Sequence, residues 1–451
     1  MRILDWQSLD EPGRRNALAR PALELQAQVR EVAQQTIARV RREGDAALAA
    51  LTARLDHVRL ESAAVTVREF AAARRALTAE QIGALENAIA NIQRFHEAQR
   101  LEPFVVETED GVRCEEIVRP IDAIGLYVPA GSAPLPSTAI MLGVPSRLAG
   151  CPTRVLCSPP RPSGSLHPAV LVAAELCGIH TVFKVGGAQA IAALAYGTES
   201  IPKVDKIFGP GNPYVTAAKQ IVACDSEGAA CDLPAGPSEV MVVADGTARA
   251  AFVAADLLSQ AEHDALAQAI LVTDSRALAE DVATEIKAQR PTLTRAAILT
   301  QSLAACRAIV VPDLEAALGV ANAYAAEHLI LQVREPRAWL KQVRHAGAVF
   351  LGSWSAEAFG DYCSGANHVL PTYGHARSLS GLSVRDFVRT ITVQELTARG
   401  VGALAGTAIA LARMEGLDGH ASAVARRLAA ASSASATEGS RPGQVAGSVR
   451  R

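Results

Sequence analysis

From residue 123 onward the chain alternates short β-branched runs with alanine-rich stretches of helical length, and it does so in two series. Runs at 124–128, 154–157, 181–185 and 206–208 form the first; runs at 240–244, 269–273, 308–311, 329–331 and 348–351 form the second. Alternation of this kind is what βαβ units with parallel sheets require. It predicts an α/β protein with two doubly wound units. A length of 451 residues, more than one core comfortably holds, points the same way.

The flanking segments read differently. Residues 22–42 and 46–55 carry apolar residues at helical spacing and are separated by Gly44-Asp45, a stop and restart. Thr78 with Gln81 three positions later makes a capping box for a helix running toward residue 99. Apolar runs around Asp110-Gly111 predict a β-hairpin. Residues 384–428 read as helical with breaks at Gly400, Gly402 and Gly416, and the small polar residues beyond 431 read as a disordered tail. His57 and His96 are expected at the surface.

Composition excludes several function classes. A formal net charge of -2 with interspersed signs leaves no electrostatic footprint for nucleic acid or an anionic membrane. The opening MRILDWQ lacks a signal-peptide core, and residues 123–146 are too broken by prolines and hydroxyls to span a bilayer, so a cytoplasmic location is expected. Eight cysteines without a Cys-x-x-Cys pair suit reduced core thiols. Any metal would need harder ligands.

Several polar segments could carry chemistry. The loop GDYCSGANHVLPT (360–372) gathers a carboxylate, an imidazole, an amide and hydroxyls after the apolar run 346–352, where an open sheet would keep its ligand crevice, although Asp, Asn, Ser and Gly are also ordinary turn formers. Three strand-to-helix junctions, 127–131, 185–190 and 208–214, are rich in glycine or proline, which admits a ligand to the backbone at helix starts; they could equally be tight turns of the fold. DLPAGPSE (232–239) bridges the two series. Gln260 and His263 are three apart on one helical face, a spacing that can hold two ligands of one metal or simply end a helix. Glu327-His328 sets an acid beside an imidazole, and EGLDGH (415–420) sets another such pair around a helix break.

Together these segments closely resemble the histidinol dehydrogenase family. The matching pieces are YVPAGSAPLPST, KVGGAQAIAALAYGTE, DKIFGPGN, AGPSEV, LLSQAEHD, AEHL, GDYCSGANHVLPT and EGLDGH, and they extend over nearly all of the chain to about residue 427. Ala130 stands where relatives usually carry Gly, and Pro213 follows the GPGN turn where a small residue is common. The resemblance implies two incomplete Rossmann-like doubly wound α/β domains with helical N-terminal and C-terminal extensions. Its implied boundaries are an arm at 1–24, a first α/β domain of 25–126 with 240–382 holding zinc and the catalytic residues, and a second, NAD-binding domain at 127–239. A helical segment at 383–431 would be swapped between subunits, before a disordered tail at 432–451.

The resemblance also implies roles. One Zn2+ per site would be held by Gln260, His263, Asp361 and His420. Glu327 and His328 would be the catalytic acid–base pair, with Ser238, Gln260, His263, His328, Asp361, His368, Glu415 and His420 contacting the substrate L-histidinol. Tyr127, Gln189 and Asn212 would bind NAD. The implied reaction is a four-electron oxidation through bound L-histidinal to L-histidine, the last step of histidine biosynthesis, in a homodimer with shared sites. Two alternatives are a related zinc-dependent dehydrogenase of another polyol, such as a sulfonated diol, and a catalytically retired nucleotide-binding protein. Retention of Ser238, His368 and Glu415 argues against the first, and intact Glu327-His328 argues against the second.

Overall fold

Two parallel sheets organise the larger of two compact units, residues 1–100 with 120–387. The fold is that of a computed structural model, which describes residues 1–21, 26–130, 133–233 and 236–438. Gly131 of the first junction, Ala235 of the bridging segment and tail residues 439–451 therefore lie outside the described residues.

A five-stranded sheet runs in the order Thr181–Lys184, Thr153–Ser158, Ala123–Tyr127, Lys206–Phe208, Ala230–Cys231, with every neighbouring pair parallel. A six-stranded sheet runs Arg2–Asp5, Arg307–Val310, Gln268–Thr273, Glu239–Ala244, His328–Gln332, Ala348–Leu351, again all parallel. Both faces of each sheet are covered. Side chains alternate across a strand, so Val240, Val242 and Ala244 enter one core while Met241 and Val243 enter the other. This is why the runs read as continuously apolar, as strands of a doubly covered parallel sheet do.

The α/β class and both strand series agree with the sequence reading. The Thr78–Gln81 capping box is formed in both directions, at 3.2 and 2.9 Å. Gly44, at φ 53, interrupts the helical stretch Gln26–Leu55 where a break was expected. Other expectations need correction. Within the expected arm at 1–24, Arg2–Asp5 is an edge strand on Arg307–Val310. Helices Gln26–Leu55, Val67–Ala76 and Ala79–Glu97 pack chiefly on the helices flanking the five-stranded sheet rather than joining the six-stranded one, because their apolar stripes complete the five-stranded sheet's two cores; Ala79–Glu97 also meets the 363–369 segment. His96 is fully buried; its Nδ1 meets the Ile92 carbonyl at 2.8 Å and its Nε2 meets Asn367.

The smaller unit comprises 101–119 and 388–451. The predicted hairpin is present as antiparallel Phe104–Glu109 and Val112–Pro120, in a three-stranded sheet with Val388–Leu396. That third strand replaces the start of the expected helix, since Val388, Thr390, Ile391, Thr392 and Val393 favour extended backbone. Helices Ala398–Met414 and Asp418–Glu438 follow, the second continuing seven residues into the expected disordered tail on its run of alanines. Cys151, Cys157, Cys177 and Cys306 are buried free thiols, and Cys224 is an exposed one. Among the described residues no helix is long and apolar enough to cross a membrane.

Candidate active site

In the five-stranded sheet the strand order reverses between Ala123–Tyr127 and Lys206–Phe208, and carboxyl ends at such a point form a ligand crevice. Tyr127, Gln189 and Asn212 all lie along this edge. The buried Tyr127 hydroxyl accepts from the Gly187 N–H at 3.0 Å, and burial pushes its phenol up to about 12. Gln189 is buried in the first turn of helix Gly187–Tyr196. Asn212 caps helix Pro213–Ala223 by accepting from Val215 at 3.1 Å, which leaves Pro213 at the first helical position, where no N–H is needed. Gly209, at φ 118, is held at both polar groups: Lys219 Nζ donates to its carbonyl at 2.9 Å, and its N–H donates to Asp232 at 2.7 Å. A Cβ there would overlap the Tyr127 carbonyl. The backbone thus lies close to any ligand, beside two helix starts that favour a phosphate.

The six-stranded sheet carries its polar groups at the opposite, amino edge. His328 opens its strand, Glu327 precedes it, and Glu239 opens the neighbouring strand. Gln260 ends helix Ala250–Ala261 and His263 follows in the next turn. Asp361 was expected at the far end of its sheet, but Gly352 turns the chain at φ 83 and helix Glu357–Tyr362 carries the carboxylate back. Its Oδ1 lies 3.6 Å from His328 Nε2. Gly360 makes this return possible, since a Cβ would press on the Phe350 ring at 2.6 Å.

The main chain of Glu239 holds both Glu327 and His328. Its N–H donates to Glu327 Oε2 at 2.9 Å, and its carbonyl is 3.2 Å from His328 Nδ1. A carbonyl only accepts, so the hydrogen-bond pattern assigns the proton to Nδ1 and leaves Nε2 free to take another. Nδ1 is also 3.6 Å from a carboxylate oxygen of Glu327 and of Glu357, too far for a hydrogen bond but close for charges. Burial alone would lower His328; with no cation bound the Glu357, Glu327 and Asp361 carboxylates outweigh it and hold the imidazole well above its ordinary value, and a cation held by Asp361 would oppose that rise and favour the neutral ring. Burial pushes Glu327 up to about 7 and raises Glu357 as well. Asp361 stays below the usual carboxylate range, because His328, His368 and His263 outweigh its burial. His368 donates from Nδ1 to the Asp361 carbonyl at 2.8 Å, and its Nε2 is 3.4 Å from Thr138 Oγ1.

A family model for histidinol dehydrogenase matches residues 18–428. The chain belongs to the histidinol dehydrogenase family. It is 57% identical over 431 residues to histidinol dehydrogenase of Xanthomonas oryzae pv. oryzae, covering 96% of this chain and 100% of that one. Histidinol dehydrogenase of Vibrio vulnificus is 51% identical, covering 95% and 98%. The crystal structure of histidinol dehydrogenase from Elizabethkingia anophelis superposes with a TM-score of 0.91 at 42% identity, covering 95% and 98%. The chain is thus an oxidoreductase of a histidine-biosynthetic family.

In this family member the larger unit brings together Glu327, His328, Asp361, His263 and His368. Ser238 sits directly before Glu239, with its carbonyl accepting from Gln268 at 3.0 Å. Glu415 and His420 belong to the smaller unit, exposed at the end of one helix and the start of the next. The sequence reading missed Glu357, whose nearest signal was its place four residues before Asp361, one helical turn away.

The donor set fits a divalent cation. Both polar atoms of the Gln260 amide and both Glu357 oxygens are buried without a hydrogen-bond partner among the described residues. Each such orphan costs roughly 1–3 kcal/mol unless something satisfies it. Ligating atoms of His263, Glu357 and Asp361 lie within 4.8 Å of one another, and an N/O set suits zinc. A cation would oppose the upward push on the buried carboxylates, since it favours their ionised form.

Beneath the site Arg20 donates to both Glu239 oxygens at 2.5 and 2.9 Å and stacks 3.9 Å from the Tyr324 ring centroid. Glu239 is fully buried. Arg20→Met is therefore expected to destabilise the larger unit by about 3–5 kcal/mol, the cost of leaving a buried charge unpaired, and to lower activity by loosening the Glu239 main chain. Urea unfolding checks this, and a loss below about 1 kcal/mol would contradict it.

Proposed function

We propose that this enzyme oxidises L-histidinol to L-histidine in two successive NAD-linked steps, keeping L-histidinal bound between them. The observation that carries the reading is the Glu239 main chain holding Glu327 and His328 together beside the unpartnered Gln260 amide. Family membership supports the substrate. The intact Ser238, His368 and Glu415 positions favour histidinol over another polyol.

Zn2+, when bound by Gln260, His263 and Asp361, with His420 as a further ligand, would supply the positive charge that anchors the substrate's imidazole and amino nitrogens. NAD, bound along the edge formed by Tyr127, Gln189 and Asn212, would accept hydride. The chain's own residues do the proton work. His328 takes the hydroxyl proton on Nε2 while Nδ1–H stays fixed on the Glu239 carbonyl, which keeps the ring from rotating. Glu327 is anchored through Oε2 by the Glu239 N–H, so its other oxygen can hold the water that attacks the aldehyde carbon. As that water adds, with its proton going to Glu327, His328 returns its own proton to the carbonyl oxygen; this forms the hydrate and frees Nε2 to remove the hydrate's proton in the second oxidation. Burial of both groups keeps bulk water from the retained aldehyde.

Counting NADH formed per histidinol consumed tests the reading. About two per substrate, abolished by a chelator and restored by Zn2+, is the expected result. One per substrate with release of free histidinal would overturn it.

The assembly we propose is a homodimer in which Glu415 and His420 complete the partner's site. The smaller unit leaves Phe104, Val105, Val106, Leu411 and Met414 exposed, apolar side chains that a partner subunit would cover. Mixed dimers test the exchange. Let one chain carry Glu327→Gln and the other His420→Asn: in a swapped dimer one site receives both lesions and the other receives neither. Random reassortment of equal amounts should restore roughly a quarter of parental activity. No recovery after verified subunit exchange would exclude the swap.

A further inference from the structure

Glu357 comes within reach of the same cation as His263 and Asp361, yet it stands outside the ligand set of Gln260, His263, Asp361 and His420 and has no part in the proton transfers above. It is 1% exposed, and neither carboxylate oxygen has a hydrogen-bond partner among the described residues. A carboxylate so placed is costly unless a positive charge forms beside it. One does form beside it during the reaction. When His328 takes the hydroxyl proton, the ring becomes an imidazolium whose Nδ1 lies 3.6 Å from Glu357 Oε1.

We propose that Glu357 is a positioning residue that acts through His328, orienting its ring and stabilising the imidazolium as it forms; this rests on the proposed role of His328 as base. The bookkeeping of the first oxidation closes around it. The substrate O–H breaks and its proton goes to His328 Nε2. The C–H pair leaves as hydride to the nicotinamide, the C=O bond forms, and the imidazole gains one positive charge. Glu357 exchanges no proton. Its charge lies on the Nδ1 side of the ring, opposite the nitrogen that reacts, as an orienting carboxylate behind a catalytic histidine does. The Glu239 carbonyl fixes the tautomer and Glu357 supplies the charge.

The helix that carries it is built for this placement. Glu357 and Asp361 are four residues apart on helix Glu357–Tyr362, so one turn delivers one carboxylate toward each ring nitrogen of His328. That a carboxylate stands at each end of the ring explains why the helix must lie so close to the sheet. It also explains why Gly360, between them, has no room for a side chain.

A double-mutant cycle tests the inference. Glu357→Gln keeps shape and removes charge; it should lower kcat for histidinol about 10–100-fold while KM changes less than about threefold and bound zinc stays at the parental level. In a His328→Ala background the same substitution should cost less than about twofold, because the group it acts through is gone. Glu357→Asp, which keeps the charge, should recover part of the loss, and it carries the same cycle if the Gln variant does not fold. Equal losses in both backgrounds, or loss of zinc from Glu357→Gln, would overturn the positioning role. A parental enzyme that forms no NADH from histidinol would instead overturn the functional reading on which the inference rests.

Discussion

His328→Ala is expected to reduce turnover of both histidinol and supplied histidinal by roughly 10²–10⁴-fold, because in the proposed mechanism one base serves both oxidations. Glu327→Gln should fail differently. It keeps the acceptor that the Glu239 N–H needs but loses the charge that activates water, so the second oxidation should suffer more than the first. Stopped-flow NADH formation with each substrate separates the two. A Glu327→Gln enzyme that oxidised histidinal at the parental rate while inactive on histidinol would show the roles to be wrongly assigned. Burial pushes Glu327 up to about 7, and a cation beside it would favour the ionised form, so in the zinc-loaded enzyme its ionisation is expected at or below about 7. A protonated Glu327 cannot accept a proton from water. Activity on histidinal should therefore fall as pH drops through that region, and the Gln variant should lack this limb.

Much of the fold and of the site could be read from residues because the signals were local. Strands buried on both faces announce themselves as β-branched runs, and the Thr78–Gln81 cap is written in four residues. Pairing across long distances was not readable. Arg2–Asp5 joins a sheet through register with residues some three hundred positions away, and nothing in Ile3-Leu4 foretells it. His96 is buried by Asn367, a partner equally remote in sequence. The strand Val388–Leu396 was misread for another reason: glycines further on drew attention to helix breaks while its β-branched run Thr390-Ile391-Thr392-Val393 went unused. At the site, side chains carried by motif were all nameable. Glu357 was not, because its meaning comes from lying 3.6 Å from an imidazole on another strand. The Glu239 main chain was invisible too, since a backbone N–H and carbonyl carry no residue-specific signal.

The cation site yields the other large expected effect. Asp361→Ala or His263→Ala should lower bound zinc and bring turnover close to the chelated level, with the fold intact. The separation of fold from metal follows from where the proposed ligands sit. Gln260, His263 and Asp361 stand at the rim of the six-stranded sheet, while that sheet's stability comes from apolar residues such as Val242, Leu271 and Ile330, which are fully buried inside it. Each such side chain contributes about 1.5–3 kcal/mol through burial, and none touches the rim chemistry. Removing Asp361 also takes a negative charge from beside His328 Nε2, so the variant should differ from simple chelation in one respect. Added Zn2+ restores the chelated parent, whereas it should leave the Asp361→Ala enzyme inactive even where excess metal refills the site, because His328 has lost a neighbour as well as the ion. Metal analysis beside activity decides it. An Asp361→Ala enzyme with stoichiometric zinc and parental turnover would exclude that residue as a ligand.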